Sequence, residues 1–369
     1  MKNLLTVGAA LMLTTTAATA GGIDRSGQSI GAIFEDGKYV ELSYGYVTPS
    51  VSGVFTVPAG PAAGLEIGSG NVAPSYGTAG LAFKTDINDK VSLALIIDQP
   101  FGADVAYTET DAGYPIAGSL AQVKTTAITA VGRYKFNENL SVHFGPRYLT
   151  ASGNYTRSVP SAPAGYPYQY SSEYASGSGA GYVAGVAYER KDIAMRVALT
   201  YSSAIALELG STSTSPFTGG DLTTTMPESI NLDFQSGVAA NTLVFGSVRW
   251  AAWDGKNIFD LDPAVQELVS WDQDTVTYTL GVGRKFSDTF SGAISVGYEE
   301  SQGGLSSNLS PTDGYTSVSV GGTYTMPSGV ELTGGVRYIM AGDATTETIG
   351  AEFTGNSAVA VGLKVAYTY

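Results

Sequence analysis

The sequence predicts an all-β protein: a transmembrane antiparallel β-barrel of about fourteen strands, preceded by a short N-terminal hatch. Three observations predict this class. The chain begins with an export signal, its segments alternate apolar and polar residues with a period of two, and short turns alternate strictly with long loops. Antiparallel barrels of the outer membrane show this combination.

Residues 1–20 resemble a secretory signal peptide. Lys2 provides the positive charge, residues 4–13 form a short apolar run, and residues 18–20 (Ala-Thr-Ala) form a small-residue cleavage site. The apolar run is too short to span a bilayer as a helix. We therefore expect an exported chain that begins near Gly21.

The composition narrows the possible functions. The 369 residues include 47 glycines, 23 tyrosines and no cysteine, and only 14% are charged. The formal net charge of −14 argues against a nucleic-acid partner, which would need a basic surface. With one histidine, His143, most zinc sites are excluded, and we expect no metal or other cofactor.

Alternation is clearest near the end of the chain. In residues 328–340 the apolar side chains share one face: Val330, Leu332, Val336, Tyr338 and Met340. The polar or small side chains share the other face: Glu331, Thr333, Gly335 and Arg337. Such segments predict strands with one apolar and one polar face.

Paired strands are separated by short polar turns, which lie at residues 86–90, 137–139, 190–192, 239–241, 287–289 and 327–329. Longer stretches rich in Gly, Pro, Ser and Asp separate the pairs, at 48–71, 109–118, 156–168, 209–222, 254–270, 301–311 and 341–356. Six hairpins, one strand before them (38–47) and one after (357–369), give fourteen strands and a barrel over 38–369. An even number places both termini in the periplasm.

The last strand ends on the aromatic residue Tyr369, a feature that barrel-assembly machinery favours. A soluble β-sandwich or propeller is the alternative. Closure without exposed edges fits a single run of paired strands without cysteines better.

Residues 21–37 do not alternate. A barrel of this size would have an open lumen unless something filled it. We therefore predict that this segment is a hatch folded into the lumen. The alternative is a disordered periplasmic tail.

Four stretches resemble the FadL-like family of outer-membrane transporters for long-chain fatty acids and aromatic hydrocarbons. They are residues 226–234 with 248–253, residues 278–286, residues 318–324, and Gln-Pro-Phe-Gly at 99–102. The resemblance implies a fourteen-stranded barrel, an N-terminal hatch, and apolar substrates that leave through a side opening. The hatch of this chain departs from the family pattern, because residues 33–38 (Ile-Phe-Glu-Asp-Gly-Lys) replace the usual Asn-Pro-Ala element.

Within the resembling segments, Gln99, Pro100, Phe101 and Gly102 are predicted to shape the side opening. Pro100 cannot donate a hydrogen bond to a strand ladder, so it marks a local break. The resemblance implies a kinked third strand at this place. A simple bulge near the rim is the alternative.

Four arginines have the sequence parity of lumen-facing residues: Arg147, Arg196, Arg249 and Arg337. A fatty-acid carboxylate in a dry pocket needs such a partner, so these are the predicted head-group ligands. The alternative is that they pair with internal acids and fill the lumen. Phe34 and Trp253 are predicted to line an apolar groove, although Trp253 also suits an interfacial girdle.

These features predict a passive outer-membrane channel for hydrophobic compounds, most simply long-chain fatty acids. A porin for hydrophilic solutes and a structural or adhesin barrel are the alternatives. We expect no catalysis, since His143 beside Ser141 has no evident third partner and no G-x-S-x-G elbow occurs. Besides its substrate, a monomer would contact membrane lipid and lipopolysaccharide. The divalent cations that bridge lipopolysaccharide could bind the acidic residues of loop 254–274, and the alternative is a solvated acidic loop.

Overall fold

The computed structural model describes residues 22–159, 169–214, 221–259, 267–269 and 271–369. The predicted signal peptide, residues 1–20, lies outside these ranges. Among the described residues, no helix has the length and apolar character needed to span a membrane.

Fourteen strands form a closed wall in the described part of the chain. They are β1 (Tyr39–Ser50), β2 (Tyr76–Asp86), β3 (Val91–Asp98, resuming as Gly102–Ala106), β4 (Leu120–Lys135), β5 (Leu140–Ser158), β6 (Gln169–Arg190), β7 (Met195–Ser202, resuming as Ile205–Ser213), β8 (Asp221–Met226, resuming as Ser229–Ala239), β9 (Thr242–Ala251), β10 (Thr275–Lys285), β11 (Phe290–Glu299), β12 (Tyr315–Thr325), β13 (Val330–Ala341) and β14 (Ser357–Thr368). Each pairs antiparallel with its neighbours along the chain.

Closure comes from the pairing of the first strand with the last. The β1–β14 register runs from Tyr39 opposite Thr368 to Ser50 opposite Ser357. The predicted fold class, an antiparallel barrel of fourteen strands, is confirmed. Closing the sheet leaves no free strand edge at this seam.

The barrel has a turn end, where the short turns and the last residue, Tyr369, lie, and a loop end with the long connections. At the loop end, five short strands form a small sheet: Gly53–Thr56, Glu66–Gly68, Leu305–Ser306, Ala344–Thr346 and Glu352–Phe353. A further pair joins Ile258–Phe259 to Glu267–Val269. Two 3₁₀ turns, Gly31–Phe34 and Lys191–Ile193, complete the described elements.

The two faces of each strand differ as the alternation predicts. In β14, Leu363 is 67% exposed on the outer face, whereas Ala360 and Lys364 are buried on the inner face. Val361 and Val365 share the outer face with Leu363. An outer wall of exposed aliphatic and aromatic side chains is stable in lipid rather than in water, as in outer-membrane barrels.

A charge placed on this lipid-facing wall is predicted to destabilise the barrel. Val320, in the middle of the outer face of β12, is 55% exposed. We expect Val320→Arg to destabilise the barrel by about 2–4 kcal/mol, because its charge would lie in hydrocarbon. Urea unfolding in lipid vesicles measures this. Glu347→Arg, at an exposed loop-end residue, is the control and should change stability by less than about 0.5 kcal/mol.

Residues 22–38, here called the N-terminal segment, lie in the lumen. Ile30 and Ile33 are buried in one cluster with inward-facing residues of six strands, among them Ala82 and Val131. Farther along the lumen, the amide of Asn231 on β8 donates to the carbonyl of Gly27 at 2.8 Å. The segment therefore occupies the interior of the barrel and contacts opposite sides of its wall.

Candidate functional site

The wall is interrupted in β3. This strand stops at Asp98 and resumes at Gly102, and the residues between them, 99–101, are here called the wall break. The ladder between β2 and β3 extends only from Leu81 opposite Ile97 to Asp86 opposite Ser92. Residues 77–80 of β2 therefore pair with β1 but have no ladder partner in β3.

The N-terminal segment supplies the hydrogen bonds that the wall break lacks. The backbone N–H of Arg25 donates to the carbonyl of Pro100 at 2.7 Å, and that of Gly102 donates to the carbonyl of Ile23 at 2.8 Å. On the β2 side, the side-chain oxygen of Gln99 accepts the backbone N–H of Ala79 at 3.1 Å. Among the described residues, one side-chain contact thus replaces the ladder between β2 and β3 at this point of the wall.

A cavity of about 120 Å³ lies beside the wall break. Its lining includes Arg25, Ser29, Thr78 and Gln99, together with two acidic residues, Glu41 and Asp98. These residues come from the N-terminal segment and from β1, β2 and β3, which are the strands that flank the gap in the ladder. The cavity is therefore positioned between the lumen and the interrupted part of the wall.

Arg25 is the cation of this cavity, and only 8% of the residue is exposed. Its Nε donates to the carbonyl of Gly102 at 3.1 Å, and its guanidinium lies 3.8 Å from the centre of the Tyr76 ring. No carboxylate of the described residues lies within ion-pair distance of it. Burial lowers the pKa of Arg25, while Tyr76 and Asp104 oppose that shift, and a guanidinium stays charged at neutral pH.

Toward the loop end, the lumen contains a buried apolar cluster, here called the loop-end cluster. Its buried members are Ile23, Phe101, Ala127, Leu149, Ala151, Tyr155, Tyr170, Tyr174, Ile205, Leu207, Leu209, Leu222, Met226, Ala251, Trp253 and Trp271. Phe101 belongs both to this cluster and to the wall break. Apolar side chains are therefore continuous from the loop end of the lumen to the interrupted part of the wall.

Two of the four predicted arginines hold the N-terminal segment. Arg147 is buried, and its Nη1 donates to Oε1 of Gln28 at 2.5 Å and to Oγ of Ser202 at 3.2 Å. Arg249 forms an ion pair with Asp24 at 2.7 Å and donates to Asn231 at the same distance. Arg249 thus pairs with an internal acid, as the alternative to a carboxylate site describes, whereas Arg147 donates to neutral side chains.

The other two predicted arginines lie apart from the wall break. Arg337 is buried on β13 over the ring of Tyr315, with 5.2 Å between guanidinium and ring centre. Arg196 donates to Gln235 at 3.3 Å and lies 4.8 Å from the ring centre of Phe34. Arg133 lies at the same distance from that ring, so two guanidiniums flank Phe34.

The expectation that Phe34 and Trp253 line one groove needs correction. Phe34 lies at the turn end, where it packs between the two guanidiniums and lines a cavity of about 600 Å³. Trp253 is 1% exposed in the loop-end cluster. The N-terminal segment extends along most of the lumen, so its two ends lie in different regions. The sequence alone does not show in which direction along the lumen this segment runs.

Glu35 follows Phe34 at the turn-end cavity. Burial raises the pKa of its carboxyl, against the opposing influence of Lys364 and Arg196. Among the described residues, no group of three or more His, Asp or Glu side chains is arranged to hold a metal ion. His143 is buried in the lumen with Nε2 3.0 Å from the hydroxyl of Thr200.

Two residues of this site were not predicted, Asp24 and Arg25. They are adjacent charged residues in a segment otherwise rich in small and apolar residues. This pair of charges is the feature of the sequence that could have identified them. A segment that does not alternate gives no information on where its side chains point.

The comparisons agree with this architecture. The sequence model of a family described as "Outer membrane protein transport protein (OMPP1/FadL/TodX)" matches residues 30–369. No curated protein sequence matches the chain significantly. A crystal structure of a Pseudomonas aeruginosa FadL homologue is similar with a TM-score of 0.72 and 14% identity, over 98% of this chain and 97% of that chain.

Two toluene transporters are also similar in structure. The Pseudomonas putida transporter TodX has a TM-score of 0.66 at 13% identity, over 96% of this chain and 98% of its own. The Ralstonia pickettii transporter TbuX has a TM-score of 0.64 at 13% identity, over the full length of both chains. At these identities the likeness establishes a shared fold.

Proposed function

This chain belongs to the OMPP1/FadL/TodX family of outer membrane transport proteins, and from that premise we propose that it takes up long-chain fatty acids. As a family member it is an outer-membrane transporter of hydrophobic compounds. The proposal adds the substrate class, the route and the residues that act along it. The single observation that carries it is the missing ladder between β2 and β3 beside the cavity that contains Arg25.

The proposed route follows the apolar lining. An acyl chain gains free energy when it leaves water for the loop-end cluster, because burying apolar surface is favourable. The cluster leads to Phe101, and Phe101 leads to the wall break. From there the chain passes sideways between β2 and β3 into the bilayer, where, among the described residues, the contact between Gln99 and Ala79 has to open.

Arg25 is the proposed partner of the carboxylate. A buried carboxylate needs a charge-assisted hydrogen bond, and an arginine fork offers two parallel donors. Arg25 lines the cavity and has no internal carboxylate partner among the described residues, unlike Arg249 with Asp24. We therefore assign the head-group role to Arg25 instead of the four arginines that sequence parity selected.

The N-terminal segment is the proposed hatch. Held by Arg147, Arg249 and the pair around Phe34, it keeps the lumen from being an open water-filled pore. This role distinguishes the proposal from the porin alternative, since a porin leaves an aqueous channel.

Mass spectrometry of the lipids extracted from the purified protein tests the substrate class. We expect long-chain fatty acids at close to one molecule per barrel. An unrelated outer-membrane barrel purified in the same detergent is the control for adventitious lipid. Neutral hydrocarbons in place of fatty acids would overturn the substrate, and large steady ion currents in planar bilayers would overturn the hatch.

A further inference from the structure

Asp98 is the last residue of the first part of β3, directly before the wall break. Ser92, Ala94 and Ile96 of this strand are buried on the inner face, and alternation places the side chain of Asp98 on the same face. Asp98 lines the cavity of about 120 Å³ together with Arg25. The proposed head-group site therefore contains a carboxylate as well as a guanidinium.

The two oxygens of the Asp98 carboxylate differ in their contacts. Oδ2 accepts the hydroxyl of Ser26 at 2.5 Å, and the same hydroxyl oxygen accepts the backbone N–H of Gln28 at 3.2 Å. Oδ1 is buried, yet it has no hydrogen-bond donor among the described residues. No cation in the described part of the chain lies within ion-pair distance of Asp98. Since buried polar atoms are nearly always hydrogen-bonded, Oδ1 is an acceptor that still needs a donor.

The other acid of the cavity, Glu41, already has partners. Its Oε2 accepts the hydroxyl of Tyr39 at 2.5 Å and pairs with Lys364 at 3.4 Å. Arg25 and Asp98 differ from it, because neither forms an ion pair within the described ranges. These two side chains are therefore the charged groups of the cavity that a ligand can use.

An unsubstituted acyl chain is a poor match for this pair of charges. A methylene group has no hydrogen to donate, so a chain packed against Asp98 would exclude water and leave the buried Oδ1 unpaired, which is costly for a charged group. A hydroxyl close to the head of the ligand would donate to Oδ1 while the ligand's carboxylate accepts from Arg25. Sites with a buried polar partner discriminate strongly against an analogue that lacks the matching hydroxyl.

We propose that this transporter prefers long-chain acids that carry a hydroxyl near the carboxylate, with Arg25 as the partner of the carboxylate and Asp98 as the partner of the hydroxyl. This inference rests on the proposed function and narrows its substrate class. The buried oxygen becomes accessible to the ligand when the contact between Gln99 and Ala79 opens, because Gln99 is the next residue along the chain. The hydroxyl is therefore recognised at the step of sideways exit.

A comparison of 3-hydroxydodecanoate with dodecanoate tests the preference. Their dissociation constants are measured on the purified barrel in nanodiscs, by displacement of radiolabelled oleate at measured free concentrations. The wild-type protein should bind the hydroxylated acid about tenfold more tightly, because the hydroxyl forms a hydrogen bond to a charged group. Asp98→Ala should reduce this ratio to about twofold or less, because the acceptor is gone. Both acids are compared on the same variant, so a general disturbance of the cavity cancels in the ratio.

Two further variants serve as controls. Asp98→Asn keeps the shape of the side chain but replaces the ionised acceptor with a neutral amide, and should reduce the ratio to about threefold. Asp104 accepts from Gln122 at 2.9 Å and lies outside the lining of the cavity, so Asp104→Asn should keep the wild-type ratio. Equal binding of the two acids by the wild-type protein, or an unchanged ratio in Asp98→Ala, would overturn the hydroxyl preference. Failure of the wild-type protein to bind either acid would instead overturn the proposed function.

Discussion

Thr78→Trp is expected to reduce fatty-acid uptake by at least about tenfold, because its indole would fill the cavity beside the wall break. Thr78 lines that cavity on the inner side of β2, next to residues that have no ladder partner in β3. The cavity of about 120 Å³ is too small to hold both an added indole and a passing acyl chain. The initial uptake rate of labelled oleate into cells that lack another fatty-acid channel measures the loss.

The matched control is Thr316→Trp, which places the same ring on the exposed outer face of β12. It should leave uptake unchanged, since a tryptophan on the lipid-facing wall is compatible with the bilayer. Both variants should keep the heat-dependent gel mobility of a folded barrel. If Thr78→Trp folds and transports like the control, the ligand does not leave between β2 and β3.

The wall of the barrel could be predicted from the sequence because its physics is local. Side chains of a strand alternate between two faces, so lipid on one side and lumen on the other impose a period of two on every segment. Each of the six predicted turns lies between two observed strands and overlaps a strand by at most one residue, for example Ser287 to Thr289 between β10 and β11. Pro100 likewise marked the break in β3, since proline cannot donate to a ladder.

The interior could not be predicted in the same way. Sequence parity places Arg147 and Arg249 in the lumen, but it does not identify Gln28 and Asp24 as their partners, more than a hundred positions away. Sequence parity also does not show which neighbour of β3 loses its ladder at the wall break. In the structure that neighbour is β2 rather than β4. Those outcomes depend on how a non-alternating segment folds back through the barrel.

The N-terminal segment is fixed in place without the family's Asn-Pro-Ala element. At one end Asp24 contacts Arg249 and Trp253, and at the other Phe34 lies between two guanidiniums. A cation over an aromatic ring contributes about 0.5–2 kcal/mol, depending on how much water is excluded. Ion pairs and cation–aromatic contacts therefore hold the N-terminal segment in the lumen of this chain. The resemblance to the family did not predict these contacts.

Replacing Arg25 should distinguish fatty acids from neutral ligands. A hydrogen bond to a charged group contributes about 1.5–3 kcal/mol, so Arg25→Gln should weaken the binding of dodecanoate roughly ten- to hundredfold. Dodecanol, with the same chain and no charge, should lose little affinity. Competitive displacement of a brominated fatty acid, followed by tryptophan fluorescence, gives both dissociation constants on the same variant.

The comparison of acid with alcohol separates a head-group role from a structural one. Arg25 also donates to Gly102 and packs on Tyr76, so a general disturbance of the cavity would weaken both ligands equally. Arg25→Lys, which keeps the charge but loses the fork, should recover part of the preference for the acid. Arg190→Gln, at an exposed residue of the turn end, should leave both constants unchanged. Equal losses for acid and alcohol in Arg25→Gln would remove Arg25 as the carboxylate partner, because only a charged head group is sensitive to the charge of the guanidinium.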